Sequence, residues 1–220
     1  MKRKALVIGA TGLIGKSVVN QLIQNEAYEK ITIFVRKSSG FIHEKVEEII
    51  VNFDRLEEYE QYFQVDDVFS CLGTTIKIAK TKENFRKVDY DYSVKVAELA
   101  SKATVQNFLL ISSMGANSDS NIFYSKVKGE VERDVKKLHF TGLFIFRPSL
   151  LLGERKEVRI GEKVAEKISV IMPFLFTGPF KKYIPIKGET VAKAMINYAL
   201  SGITGEQIIE SNSIERMSRK

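Results

Sequence analysis

The stretch from Lys4 to Gly15, KALVIGATGLIG, constrains this chain more than any other. Ala5 to Ile8 is a short apolar run with β-branched residues, the length of a fully buried strand. Gly9, Gly12 and Gly15 follow, and then Val18, Val19, Leu22 and Ile23 recur at helical spacing. The pattern reads as strand, tight turn, helix. Gly9 lets the chain turn sharply, Gly12 lets a phosphate approach the backbone, and Gly15 lets the helix pack tightly on the strand. The unpaired N–H groups at the helix start then face a pyrophosphate. An ordinary strand–helix turn is the plain alternative. The buried strand before the glycines and the amphipathic helix after them favour a dinucleotide site.

A chain of 220 residues is long enough for one α/β domain and short for two. No signal peptide and no apolar run of membrane-span length is visible; the longest candidate, Ile168 to Phe176, is interrupted by Pro173. One cysteine, Cys71, rules out an intrachain disulfide and suggests a reducing, cytoplasmic setting. With that cysteine and two scattered histidines, His43 and His139, neither a metal site nor a histidine-based triad is expected. The net charge of +7 raises nucleic acid as a partner, but the basic residues alternate with glutamates, as in KVKGEVERDVKK. That is the pattern of a solvated mixed-charge surface, with part of the excess available to a phosphorylated ligand.

Strands and helices alternate along the chain. Ile31 to Val35 reads as a second buried strand, and Arg36 and Lys37 follow it directly. An acidic residue at this place would hold the ribose 2′-hydroxyl of NAD. A guanidinium suits a 2′-phosphate instead, so Arg36 indicates NADP(H); the plain alternative is a solvent-facing arginine at a strand end. Val46 to Val51 gives a third strand. Asp54 follows it, before the helical segment RLEEYEQYFQ, where it suits a helix N-cap. Asp67 to Cys71 is a fourth strand, and Leu72, Gly73, Thr74 and Thr75 leave its carboxyl end, where a doubly wound sheet binds ligands. Gly73 would let the backbone approach the cofactor's ribose. Cys71 reads as a packing residue. A long helix is expected over roughly Lys82 to Ala103, with Val88, Tyr92, Val96 and Leu99 on one face.

Phe108 to Ile111 is a fifth strand, ending in Ser112, Ser113 and Met114. A helix follows from about Phe123 to His139, then a sixth strand from Gly142 to Phe146. The expected fold class is therefore α/β, a doubly wound, mostly parallel sheet of the Rossmann kind in a single domain over residues 1–220. Beyond Leu152 the alternation changes. Val158 to Phe176 suggests a helix, Gly178 to Pro185 carries loop breakers, and Thr190 to Leu200 is an amphipathic helix. Glu206 to Ile209 suggests a last short strand, and the tail after Asn212 is expected to fray. Residues 153–190 or so would form a small C-terminal cap on the substrate side.

Tyr124 and Lys128 stand four apart on one expected helix and so share a face. Ser112 and Ser113 leave the preceding strand toward the same crevice. Together a serine, a tyrosine and a lysine make an acid–base set for carbonyl and alcohol chemistry. The lysine stabilises the phenolate, the tyrosine exchanges a proton with the substrate oxygen, and the serine hydroxyl hydrogen-bonds that oxygen. A Y-x-x-x-K spacing is common by chance on exposed helices; its place after the SS strand end and the glycine loop is what gives it weight.

The G-x-x-G-x-x-G spacing is typical of the short-chain dehydrogenase/reductase superfamily. GATGLIG, CLGTT, VDYDY, LLISSMGA, FYSKVKGEVE and IFRPSLLLGER, in this order, are similar to the atypical short-chain dehydrogenases of the Tat-interacting-protein (oxidoreductase) type. The resemblance covers most of the chain and implies NADPH binding. It implies that Thr11, Gly12, Leu13, Ile14 and Gly15 hold the pyrophosphate, and that Arg36 and Lys37 hold the 2′-phosphate. Asp54 would sit near the adenine, and Leu72 and Gly73, with Thr74 beside them, would line the middle of the cofactor. Tyr124 and Lys128 would bind the nicotinamide ribose. Leu151 would flank the nicotinamide, and Arg159 would lie near the substrate or cofactor edge. It favours Ser113 over Ser112 as the catalytic hydroxyl. Where the group often has a glycine after Arg-Pro, this chain has Ser149, which would alter packing beside the nicotinamide.

Two functions of different classes remain. One is an NADP(H)-dependent oxidoreductase acting on a small carbonyl or alcohol substrate, which the joint presence of Ser113, Tyr124 and Lys128 favours. The other is a non-catalytic NADP(H)-binding redox sensor or interaction protein. A third, weaker reading is a membrane-surface protein resting on Ile168 to Lys182, apolar with a basic end; a helix closing the pocket explains the same segment. The helices containing Val96 and Val131 could pair in a homodimer.

Overall fold

The computed structural model describes residues 2–152 and 184–219. Seven parallel strands form one sheet. They are β1 (Arg3–Ile8), β2 (Tyr28–Val35), β3 (Val46–Ile50), β4 (Asp67–Ser70), β5 (Asn107–Ile111), β6 (Gly142–Arg147) and, after the short pair β7 (Leu151–Leu152) and β8 (Ile186–Lys187), β9 (Gly205–Glu210). Their order is β3-β2-β1-β4-β5-β6-β9, so the direction of winding reverses between β1 and β4. The helices are α1 (Leu13–Gln24), α2 (Ile76–Ala79), α3 (Lys82–Arg86), α4 (Tyr92–Lys102), α5 (Phe123–Val135), α6 (Gly188–Ala199) and α7 (Ser211–Ser218). A 3₁₀ segment, Phe53–Phe63, bridges β3 and β4. The expected doubly wound α/β fold is what the chain adopts.

The alternation of side chains along each strand builds two cores. Ala5 and Val7 of β1 point to the face covered by α1, α6 and α7, where Val18, Leu22, Val191, Met195 and Ile214 bury them. Leu6 and Ile8 point to the other face, against Val96, Ala97 and Ala100 of α4 and Val131 and Val135 of α5. Both faces are dry, which is why the strands read as continuous apolar runs.

Two expectations about the C-terminal part change. The tail after Asn212 does not fray: α7 forms there because Ile214 and Met217, three apart, are buried, and Asn197 Nδ2 donates to the Met217 carbonyl at 2.8 Å. The parallel pair β7–β8, with Leu151 opposite Ile186, had no sequence signal because each strand is two residues long. Residues 153–183, which carry the expected helix, Arg159, most of the loop breakers and most of the cap, lie outside the described residues.

The expected long helix over Lys82 to Ala103 is present with one irregularity. Between α3 and α4 the turn Lys87–Asp91 is π-helical. A π turn adds a residue to the turn and redirects the side chains on it. Asp89 lies in this turn and in the interior, 1% exposed.

At the amino ends of the strands, the first residues of four of them meet around one carboxylate. Asp67 accepts from Arg3 Nε at 2.6 Å and Nη2 at 2.7 Å, from the Tyr28 hydroxyl at 2.7 Å, and from Asn107 Nδ2 at 2.8 Å. Burial, reinforced by the Asp67 charge, pushes the Tyr28 phenol well above its usual range. This clasp lies at the edge opposite the glycine loop. Asp67→Asn keeps the shape and removes the charge facing Arg3, so it should cost about 3 kcal/mol and lower Tm by roughly 6–12 °C for a chain of this size. Thermal unfolding followed by circular dichroism measures it; an unchanged Tm would show that the clasp contributes nothing net.

Candidate functional site

The site begins where β1 ends. Gly9 has φ +83°, and a Cβ there would stand 2.5 Å from the Cys71 carbonyl oxygen. No other residue type fits that turn against that strand. A Cβ on Gly15 would stand 2.1 Å from the Gly9 carbonyl oxygen, so α1 lies directly on the loop. The Gly12 amide donates to Gly9 O at 3.0 Å, and Lys16 N to Gly12 O at 2.9 Å. Gly12 caps the helix with no side chain, and the first turn of α1 holds no acidic residue. Leu13, Ile14 and Gly15 thus begin a helix whose amino end favours an anion. Thr11 and Gly12 are exposed beside it, while the Ile14 side chain is buried in the core. Leu13 packs on Gly188, at the start of α6, where a Cβ would come within 2.8 Å of Leu13 Cγ.

The neighbouring strand, β4, delivers the second wall. The Cys71 amide donates to Ile8 O at 2.8 Å, joining the two strand ends at the switch point. Burial pushes the Cys71 thiol up to about 12. Leu72 packs on the core, Gly73 is exposed, and the Thr74 amide donates to Asp89 Oδ2 at 2.8 Å.

Arg36 and Lys37 leave the end of β2 exposed and make no ion pair among the described residues. Asp54 is employed differently from the expected cap. Asn52 is the N-cap, accepting from Asp54 N at 3.0 Å, and the Asp54 carboxylate binds Lys87 Nζ and the Tyr92 hydroxyl, each at 2.7 Å. The Lys87 ammonium, with Tyr92, holds that carboxyl below its usual range. From the first turn of the 3₁₀ segment its side chain reaches Lys87 and the start of α4, which the local sequence did not reveal.

The third wall comes from β5 and α5. The two serines part company. Ser112 donates to Glu132, whose carboxylate also receives Arg147 Nε at 3.0 Å and Nη2 at 2.6 Å. Ser113 Oγ is buried and has no hydrogen-bond partner among the described residues. A buried hydroxyl left without a partner calls for a ligand or a water. The loop after Ser113 is fastened to α5: Asn117 N donates to Ser125 O at 3.0 Å, and a Cβ on Gly129 would stand 2.1 Å from Ser118 N. Gly129, next to Lys128, is what lets the serine-bearing loop lie on the tyrosine-bearing helix.

On α5, Tyr124 is half-buried, its ring tilted 52° against Phe85 with centroids 5.6 Å apart. Its hydroxyl makes no hydrogen bond among the described residues. Lys128 is 5% exposed, and its Nζ lies 2.8 Å from Asp89 Oδ1. A Cβ on Gly73 would meet Lys128 Nζ at 3.9 Å and Asp89 Oδ1 at 3.8 Å, so Gly73 lies over the pair. Leu151, on β7, is half-buried against the core that holds α6. Ser149 turns away from an open role: its hydroxyl donates to the Ile184 carbonyl, and its amide to Ser211 Oγ at 2.6 Å. Arg159 is outside the described residues.

Sequence reasoning missed Asp89, Glu132 and Arg147. A signal for the first existed: Phe85, Asp89, Ser93 and Val96 repeat at helical spacing, which puts a carboxylate on an apolar stripe. A charge on a buried stripe needs a partner. Among the described residues no helix is long and apolar enough to cross a membrane.

The NAD(P)H-binding family model matches residues 9–161. Protein HTATIP2 of Rattus norvegicus is 35% identical over 222 residues, spanning 99% of this chain and 90% of that protein. The mitochondrial protein FMP52 of Candida albicans is 34% identical over 211 residues, spanning 91% and 89%. The Bordetella bronchiseptica enzyme WbmH in complex with NAD+ superposes with a TM-score of 0.72 at 14% identity, covering 99% of this chain and 79% of that one. The UDP-N-acetylglucosamine 4-epimerase of Methanobrevibacter ruminantium gives 0.71 at 18% identity, covering 100% and 81%. At those identities the likeness establishes the shared fold. The names of the FMP52 relatives correct the expected cytoplasmic setting, since they point to mitochondria. A lone cysteine reports a reducing environment and carries no address. The matched family and the relatives along nearly the whole length place this chain in the NAD(P)H-binding family, as a homologue of the HTATIP2 and FMP52 proteins.

Proposed function

We propose that the chain is an NADP(H)-dependent oxidoreductase that reduces a small carbonyl compound, or oxidises the matching alcohol, with Ser113, Tyr124 and Lys128 as its acid–base set. The observation that carries this reading is the state of the two hydroxyls. Among the described residues Ser113 Oγ is buried without a partner, and the Tyr124 hydroxyl, on the helix docked to the same loop, makes no hydrogen bond. A substrate oxygen between them would satisfy both.

A nicotinamide cofactor, when bound, would supply the hydride that the carbonyl carbon receives. Tyr124 gives its proton to the carbonyl oxygen as charge grows there, and Ser113 donates a hydrogen bond to the same oxygen. Lys128, buried one turn along from Tyr124, would hold the ribose hydroxyls. The glycine loop and the first turn of α1 take the pyrophosphate. Arg36 and Lys37, with no ion pair among the described residues, take the 2′-phosphate.

Tyr124→Phe removes the proton donor and keeps the ring on Phe85. NADPH-dependent reduction, read on a panel of small aldehydes, ketones and quinones, should fall at least about 100-fold with NADPH affinity within about twofold of the wild type. Full activity in this variant, or tight NADPH binding by the wild type with no turnover across the panel, would overturn the enzymatic reading and favour a redox sensor. Arg36→Ala should weaken NADPH binding by roughly 10- to 100-fold, the worth of a charge-assisted contact. NADH binding should change by no more than about twofold. Equal losses for the two cofactors, measured by calorimetry, would remove the 2′-phosphate assignment.

A further inference from the structure

The loop between β2 and β3 begins with Arg36 and Lys37, and a carboxylate on β3 fastens it. Glu48, in the middle of β3, stands beside Ile33 of β2 in the sheet. Ile33 belongs to the core on the α1 face, and a neighbour in register points to the same face. The loop turns back over that face, and Glu48 takes hold of it. Its Oε2 accepts the Ser39 amide at 2.8 Å and also the Ser39 hydroxyl. The same hydroxyl accepts the Phe41 amide at 3.2 Å, and the Phe41 side chain packs on the α1-side core. Gly40, between these two residues, has φ +77°, the left-handed backbone that glycine supplies. Lys45 closes the loop, its Nζ donating to the Ile23 and Asn25 carbonyls at 2.9 and 3.1 Å.

Arg36 and Lys37 thus lie on a short tether between the end of β2 and the Ser39 anchor. Both are exposed and make no ion pair among the described residues, so their placement depends on that backbone. A site whose backbone is set in advance loses less freedom on binding than one that the ligand must order. The charge of Glu48 raises the opposite reading, an acidic residue that accepts a ribose hydroxyl in place of a phosphate. Its donors argue against this. The Ser39 hydroxyl and amide, with the Ser38 side chain, hold the Glu48 carboxyl below its usual range and occupy it from the loop.

Resting on the NADP(H) reading above, we propose that Glu48 is a positioning residue for cofactor selectivity. It fixes the Arg36–Ser39 backbone so that the guanidinium and the ammonium stand ready for the 2′-phosphate. It acts through Ser39 and touches neither cofactor nor substrate.

The test is a calorimetric titration of the whole chain with NADPH and with NADH, with thermal unfolding alongside. Glu48→Ala removes the acceptor. It should raise the Kd for NADPH roughly three- to tenfold, the cost of ordering the loop at the moment of binding. The Kd for NADH should stay within about twofold, since NADH carries no 2′-phosphate. Glu48→Gln keeps an oxygen for the Ser39 amide and hydroxyl and should restore NADPH affinity to within about twofold of the wild type. In the Arg36→Ala background, Glu48→Ala should change NADPH binding by less than about twofold, the non-additivity of groups that act together. Equal losses for NADPH and NADH would overturn the proposal, as would a lower Tm with an unchanged ratio of the two affinities. If Glu48→Ala fails to fold, Ser39→Ala carries the same test from the loop side, with the same expected fall in the NADPH preference. A wild-type protein that binds neither cofactor, or prefers NADH, overturns the NADP(H) reading itself. A wild-type preference for NADPH that survives Glu48→Ala overturns only the role of Glu48.

Discussion

Everything at the carboxyl edge of this sheet depends on how closely three backbones approach one another. The end of β1, the first turn of α1 and the end of β4 meet at Gly9, Gly15 and Cys71, with space for no Cβ at either glycine. That contact aims the amino end of α1 outward over the sheet and joins it to the strand across the switch point. The same device recurs on the other side of the crevice, where Gly129 admits the loop carrying Ser113 onto the helix carrying Tyr124 and Lys128. Gly9, Gly15 and Gly129, carrying no Cβ, are what let these backbones meet.

The polar interior divides along the strands. At the amino ends, Asp67 gathers Arg3, Tyr28 and Asn107 into a clasp at the edge opposite the glycine loop. At the carboxyl ends, Glu132 binds Arg147 through two hydrogen bonds and occupies Ser112. This second network occupies the Ser112 hydroxyl, while the neighbouring Ser113 hydroxyl has no partner among the described residues. Between the two, Asp89 and Lys128 form the one buried pair that borders the crevice among the described residues.

Much of the fold was legible because the physics is local and repeated. β1, β2, β4, β5 and β6 are apolar runs buried on both faces, and α1, α4 and α5 carry clean helical stripes, so the alternation could be read along the chain. The glycine loop was legible because few other structures need glycines at that spacing. What stayed hidden depended on distant partners. Asn52 and not Asp54 caps the 3₁₀ segment, because Asp54 is drawn to Lys87 and Tyr92 some thirty residues on. The helix at Ser211–Ser218 forms on a surface supplied by α6, and the β7–β8 pair joins segments more than thirty residues apart. Asp89 was visible as a charge on an apolar stripe, but its partner lay on another helix. Cellular setting was not legible at all, and the relatives correct it.

The account rests on a dinucleotide lying across the glycine loop with its phosphorylated ribose at Arg36. A calorimetric titration of the wild-type chain with NADPH and, separately, with NADH tests this most directly. Saturable binding of both at one site per chain, with NADPH the tighter, is the predicted result. Binding of neither, or a preference for NADH, would contradict it.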